Sequence, residues 1–193
     1  MIEENVKILQ CSNNQYVEGK ILPVSQKHIE EIEFSWKPEL KNHDHWDKDL
    51  DFVQYLHEKT CLQFYVLEYQ LVTQGIIGLD PGYSSRLELG QNIVYVSILT
   101  IAPWNRPDIN GSQIYKGIGT TLITFAITLS INLGFEGKIG LHSVKKAEEF
   151  YKKLGFIDLG NDINYKNFKY LELSADNANL LVLNSLLVDN LRN

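Results

Sequence analysis

Lys116-Gly117-Ile118-Gly119-Thr120-Thr121 opens an apolar run that ends at Gly134. Two glycines remove side chains at the point where helical periodicity begins. Bare backbone N–H groups then stand at the positive end of a helix dipole, where they suit a phosphate. Upstream, Asn92-Ile93-Val94-Tyr95-Val96-Ser97-Ile98-Leu99-Thr100-Ile101 is β-branched and aromatic, the composition of a strand. The order strand, loop, glycine turn, helix predicts a ligand that carries phosphate. A dinucleotide turn would need a third glycine three residues after the second, where Leu122 stands, and a Walker loop would need Gly-Lys-Ser/Thr, which does not occur.

The 193 residues, 44% of them apolar, suffice for one domain with a sizeable core, and residues 1–193 are read as a single unit. No run has the length of a membrane span, and the start Met1-Ile2-Glu3-Glu4-Asn5 lacks the basic and apolar parts of a signal peptide. Cys11 and Cys61 are isolated, which predicts free thiols and a cytoplasmic location. The net charge of −6 argues against nucleic-acid binding. Residues 103–157 carry seven basic and four acidic side chains, net +3, while the segments around them are net negative. The positive segment contains the glycine turn, as an anionic ligand there would favour.

Periodicity sets the rest. Val17 to Val24 reads as a first strand. Ser25 can cap a helix through roughly Asn42, with a break at Pro38, and a second helix fits Trp46 to Thr60. Residues 63–69 and 74–79 read as strands, and Asp80-Pro81-Gly82 as a turn. The helix from Gly117 to about Leu133 is apolar on two faces and capped by Gly134. Residues 138–142 read as a short strand. Ala147, Phe150, Tyr151 and Leu154 follow at helical spacing, with Gly155 as the cap. Residues 156–159 and 168–173 close the sheet, and Ser174 can cap a terminal helix through Leu191. Leu180, Leu181, Leu183, Leu187 and Leu191 would pack on the sheet or form a homodimer contact. The order is that of a mixed α/β domain.

Read from Ser97 to Phe156, the chain resembles the GNAT superfamily of acetyl-CoA-dependent N-acetyltransferases. Leu99-Thr100-Ile101-Ala102-Pro103 resembles the end of that family's central strand. Lys116 to Thr120 resembles its pyrophosphate loop, Gly140-Leu141-His142-Ser143-Val144 its next strand, and Ala147 through Phe150-Tyr151-Lys152-Lys153-Leu154-Gly155-Phe156 its last motif helix. The resemblance implies a mostly antiparallel sheet with flanking helices, a cofactor-binding core over about 92–157, and central strands splayed to admit acyl-CoA. It implies acetyl-CoA as co-substrate and a small-molecule or peptide amine as acceptor, with neither nucleic acid nor membrane as partner.

By that resemblance, the backbone of Leu99, Thr100 and Ile101 would hold pantetheine, with the Leu99 N–H polarising the thioester carbonyl. Lys116, Gly117, Ile118, Gly119, Thr120 and Thr121 would hold the pyrophosphate, and Ser143 would flank the cofactor. Tyr151 would protonate the leaving thiolate, and packing as a core aromatic is its other reading. His142 is a candidate base, as are Glu68, Asp80 and Glu88. Ile114 stands where the family has Arg or Gln, so Gln113, Tyr115 or Lys116 would substitute. The central strand lacks the glutamate that many members use as base. A non-catalytic acyl-CoA sensor and an interaction module are therefore alternatives. Trp104-Asn105-Arg106 lies in a long loop that would either touch ligand or close the surface. His43-Asp44-His45 reads as a solvated loop, and no metal site is expected.

Overall fold

The structure is a computed structural model and describes residues 3–43 and 45–190. Its contacts divide the chain into two compact units, each made of two segments: Met1–Gly78 with Ile98–Leu122, and Leu79–Ser97 with Ile123–Asn193.

The first unit opens on β1 (Glu4–Gln10), which runs antiparallel to β2 (Gln15–Pro23). No strand was expected at β1. Its side chains are mostly half-buried, so its apolar alternation is weak, and pairing rather than composition makes it a strand. Ser25 starts a helical stretch of α1 (Gln26–Glu31), a π turn (Ile32–Trp36) and α2 (Lys37–Leu40). The expected break at Pro38 is replaced by this π turn. Proline offers no N–H to the carbonyl four residues back and its ring crowds that carbonyl, and a wider turn before it relieves both.

The helix expected from Trp46 is shorter: α3 spans Phe52–Glu58 and is capped by Asp51, whose carboxylate accepts from Gln54 N–H at 2.8 Å. Residues 46–49 form turns because Asp47 is drawn inside, as described below. β3 (Gln63–Tyr69) matches its expected limits. Trp36, Leu40, Phe52, Val66, Ile76 and Ile98 form the unit's core.

β4 (Val72–Ser84) begins in this unit and runs into the second. It overturns the expected turn at Asp80-Pro81-Gly82, since the strand carries through all three residues. β5 (Asn92–Ile101) lies where it was expected. A 3₁₀ turn (Pro103–Asn105), α4 (Pro107–Asn110) and β6 (Tyr115–Lys116) lead to α5 (Ile118–Asn132).

The second unit holds most of α5, then β7 (Ile139–Ser143), α6 (Glu148–Lys153), β8 (Ile157–Asp162), β9 (Phe168–Leu173) and α7 (Ala175–Asn190). Gly134 and Gly155 end their helices at φ +81° and +88°, a region open to glycine. The β8–β9 ladder shifts register between Asp158 and Asn161. On α7, Leu180 and Leu183 are exposed, while the side chain of Leu187 and all of Leu191 lie outside the described residues.

The strand order is β6-β1-β2-β3-β4-β5-β7-β9-β8, a mostly antiparallel open sheet with flanking helices in which β5 and β7 run parallel. Cys11 and Cys61 are free thiols. Among the described residues, no helix is long and apolar enough to cross a membrane.

Candidate functional site

The glycine turn is held from behind. β6 pairs with β1, setting Lys116 opposite Leu9 and Tyr115 opposite Gln10. Asn105 is fully buried and organises the approach. Its carbonyl side-chain oxygen accepts from Tyr115 N–H at 2.9 Å, its backbone oxygen accepts from Gln113 Nε2 at 2.9 Å, and its amide donates to Gln74 Oε1 at 3.0 Å. The same Gln74 oxygen accepts from Trp104 Nε1 at 3.0 Å. The Trp104-Asn105-Arg106 segment is therefore internal scaffolding, with Trp104 set edge-on to Trp36 at 6.2 Å.

Gly117 has φ +88°, and a Cβ there would meet nothing within 4 Å. Glycine is needed for the backbone angle and not for space. The chain then enters the 15 residues of α5, and Thr121 N–H closes on Gly117 O at 2.8 Å. Thr121 therefore spends its amide on the helix and has its hydroxyl to offer a phosphate. The amides of Ile118 and Gly119 have no carbonyl four residues back within the helix and sit at its positive end, the geometry that accepts an anion. Of the three residues offered as substitutes at Ile114, Gln113 is used on Asn105 and Tyr115 packs edge-on to Tyr69 at 5.3 Å. Lys116 is exposed.

β5 changes its hydrogen-bonding direction along its length. Val94 N–H bonds to Lys138 O beside β7 at 3.2 Å, whereas Ala102 N–H bonds to Gln74 O on β4 at 2.9 Å. Residues an even number apart in a regular pleat point their amides the same way, so an irregularity of one residue lies between them. Burial agrees: residues 93–96 are all buried, and alternation starts at Ser97. Counting back from Ala102, the amides of Leu99 and Ile101 point away from β4. The register with β7 covers Val94 to Val96, and β5 runs on to Ile101.

Thr100 faces the core. Its hydroxyl donates to Asp47 Oδ2 at 2.6 Å and accepts from Arg106 Nη2 at 2.6 Å. Arg106 Nε donates to Ile101 O at 2.8 Å. Asp47, expected on the helix from Trp46, is 0% exposed. Burial works against its charge, but hydrogen bonds and charge from Arg106, with Thr100, hold its carboxyl below the usual range.

In the second unit, His142 differs from expectation. Its side chain is 1% exposed. Nδ1 lies 2.8 Å from the Tyr95 hydroxyl and Nε2 3.1 Å from Asp162 Oδ2, and the ring stacks on Tyr165 at 4.0 Å. Both nitrogens are engaged, so a proton taken from an amine would have to displace Tyr95 or Asp162. Burial depresses its pKa, partly offset by the Asp162 hydrogen bond, with the Arg86 charge lowering it further. Asp162 is pulled down to about 2, chiefly by hydrogen bonds from Arg86 and then His142.

Tyr151 is 7% exposed and lies between Phe150 and Phe156, with ring centroids at 5.0 and 5.3 Å. Burial drives its pKa upward, so the phenol is a neutral donor at any physiological pH. Ser143 is buried and donates to Val144 O at 3.0 Å, so its hydroxyl is satisfied locally.

Of the other candidate bases, Asp80 lies half-buried on β4. Glu68 accepts from Lys27 and His28, and Glu88 pairs with Lys138. His45 pairs with Asp108 at 3.1 Å. Among the described residues no cluster of three His, Cys, Asp or Glu could hold a metal, and Asp44 lies outside them.

Neither a family profile nor a curated protein matches the sequence. Solved structures do. The N-acetyltransferase YlbP of Bacillus subtilis, determined with coenzyme A, is similar at 19% identity over 82% of this chain and 97% of its own, with a TM-score of 0.52. A GNAT-family acetyltransferase from Listeria monocytogenes is similar at 14% identity over 87% and 99%, with a TM-score of 0.57. AtaTR bound with acetyl-CoA is similar at 21% identity over 84% and 96%, with a TM-score of 0.52. This chain therefore has the GNAT fold.

Proposed function

We propose that the chain is an acyltransferase that moves acetyl from acetyl-CoA to an amine by direct attack. The observation that carries this reading is the left-handed Gly117 at the junction of β6 and α5, with the first-turn amides of Ile118 and Gly119 presented to an anion. The fold shared with proteins determined with CoA and acetyl-CoA supports the identity of that anion.

Each residue group has a proposed role. The turn from Lys116 to Thr120 binds pyrophosphate. The amides of Leu99 and Ile101, turned away from β4, pair with pantetheine, and Leu99 N–H stabilises the oxyanion that forms as the amine adds to the thioester. Tyr151 donates its proton to the departing thiolate. A second reading, acyl-CoA binding without turnover, is favoured by the closed hydrogen bonding of His142, which leaves the amine without an identified base.

The test is a stabilisation screen with acetyl-CoA, CoA, NAD and ATP, followed by thiol release over a panel of amines. Acetyl-CoA and CoA are expected to raise the melting temperature. Stabilisation by NAD or ATP alone would overturn the proposal, and acetyl-CoA binding without thiol release on any amine would favour the second reading.

A further inference from the structure

A cleft of about 450 Å³ lies within the first unit and shares no lining residue with the glycine turn. Val24, Ile29, Leu56 and Phe64 are half-buried and form its apolar wall, while His57 and Thr60 are exposed and form its polar rim. Val24 N–H donates to Phe64 O at 3.0 Å, which ties the end of β2 to β3 beneath the cleft. Ile29 comes from α1 and Leu56 from α3. An apolar wall with a few polar groups at the mouth suits a small organic ligand.

Gly78 connects this wall to β5. A Cβ there would stand 2.6 Å from Phe64 Cε1 and 2.8 Å from Ile98 Cγ2. The Phe64 ring and the Ile98 side chain thus close over a bare Cα, and glycine is needed at this point of β4 for space. Ile98 immediately precedes Leu99, whose amide is proposed to stabilise the oxyanion. β3 and β5 flank β4 in the sheet, so their backbones are about 10 Å apart. A ligand body resting on Phe64 therefore needs a flexible arm to bring a reacting atom to β5.

The lining also has a charge character. Among the described residues that line the cleft there is no carboxylate, lysine or arginine. A second ammonium on an acceptor would give up water there without a counter-charge, and a carboxylate would do the same. An uncharged aliphatic or aromatic body gains from the same wall.

We infer that the acceptor is a monoamine with an apolar body, seated on Phe64 and Leu56 with its amine directed along a flexible arm to β5. This names the acceptor class for the acyltransferase reading and rests on that reading. The neutral amine nitrogen bonds to the acetyl carbon as the C–S bond breaks. The nitrogen gives up one proton and the sulfur takes one, so amine plus acetyl-CoA gives an N-substituted acetamide plus CoA.

The probes are phenethylamine, ethylamine, putrescine and spermidine at saturating acetyl-CoA, with the acetylated amine read by mass spectrometry. Phenethylamine should exceed each of the others in kcat/KM by about 10-fold or more. Leu56→Trp fills the wall and Thr60→Trp narrows the mouth. Each should raise KM for phenethylamine by about 10-fold or more with kcat little changed, while acetyl-CoA still raises the melting temperature. Leu56→Glu supplies the missing counter-charge and should shift the preference toward putrescine by about 3-fold or more. Ethylamine or spermidine acetylated as fast as phenethylamine, or an unchanged phenethylamine KM in folded Leu56→Trp and Thr60→Trp, would overturn this inference and leave the acyltransferase reading in place. Acetyl-CoA that fails to stabilise the protein, or binds with no amine acetylated, would remove that reading and this inference with it.

Discussion

Asp47 and Arg106 form a two-pronged ion pair inside the first unit, with Nη1 to Oδ1 at 3.0 Å and Nη2 to Oδ2 at 2.5 Å. The pair ties the loop before α3 to the segment after β5, and through Arg106 Nε it also fixes the carbonyl of Ile101. Arg106→Met would leave a buried carboxylate unpaired, at a cost of about 3–5 kcal/mol. For a chain of this size the melting temperature should fall by roughly 10 °C or more. The double variant Asp47→Leu/Arg106→Met should recover most of that loss, because it removes both charges. Thermal unfolding of the single and double variants checks this.

The same pair sets an acid limit. The folded pKa of Asp47 lies below its unfolded value of 3.8, so its stabilisation is fully present above that pH. It is lost as pH falls through the lower folded value. The Asp47→Leu/Arg106→Met protein should lack this step when melting temperature is followed down from pH 5.

His142 should give a second, separate step. Its folded pKa is depressed below 6.5, chiefly by burial, so the unfolded chain binds the proton more readily. Its contribution is complete above pH 6.5 and erodes as pH falls from there through the folded value. His142→Gln should remove this dependence and leave the Asp47 step in place. A wild-type melting temperature that stays level between pH 7 and pH 5 would contradict the assignment.

Gly119→Glu should abolish acetyl-CoA binding with little change in fold, because it brings a side chain and a negative charge to the first turn of α5, where the pyrophosphate is proposed to meet bare amides. Titration calorimetry with CoA is the check. Undiminished affinity in a folded variant would mean that the phosphate sits elsewhere.

Tyr151→Phe should lower kcat and kcat/KM together by about 10²–10⁴-fold while acetyl-CoA affinity holds. The ring stays between Phe150 and Phe156, so packing is conserved. Wild-type turnover, with chemistry shown to be rate-limiting, would leave Tyr151 as a core aromatic.

The elements whose cause is local were legible in the sequence. β3 and β5 carry their own β-branched and aromatic signal, β9 its aromatic and apolar alternation, and α5 its own periodicity and glycine cap. So was the glycine turn, whose requirement is a backbone angle at Gly117. What was not legible depends on partners distant in sequence. Asp47 leaves helical spacing to reach an arginine far along the chain, and Asn105 looks like a loop residue until Gln74, Gln113 and Tyr115 gather around it. His142 looked free to accept a proton because nothing nearby in sequence announces Tyr95 or Asp162. The contact of His28 with Glu68 was hidden for the same reason, since the carboxylate comes from β3.

The register shift in β8 bears on how this protein keeps from fibre formation. β8 ends the sheet order and carries Ile157 and Leu159 exposed, the composition of a strand that could recruit another chain edge to edge. The shift between Asp158 and Asn161, with Gly160 at φ +92°, breaks the even row of backbone donors and acceptors such recruitment requires. Asp158, held charged by Lys169, adds a charge beside the two apolar residues. A variant lacking Gly160 would straighten that margin, and its concentrated solutions should scatter light and bind amyloid dyes where the parent's stay clear.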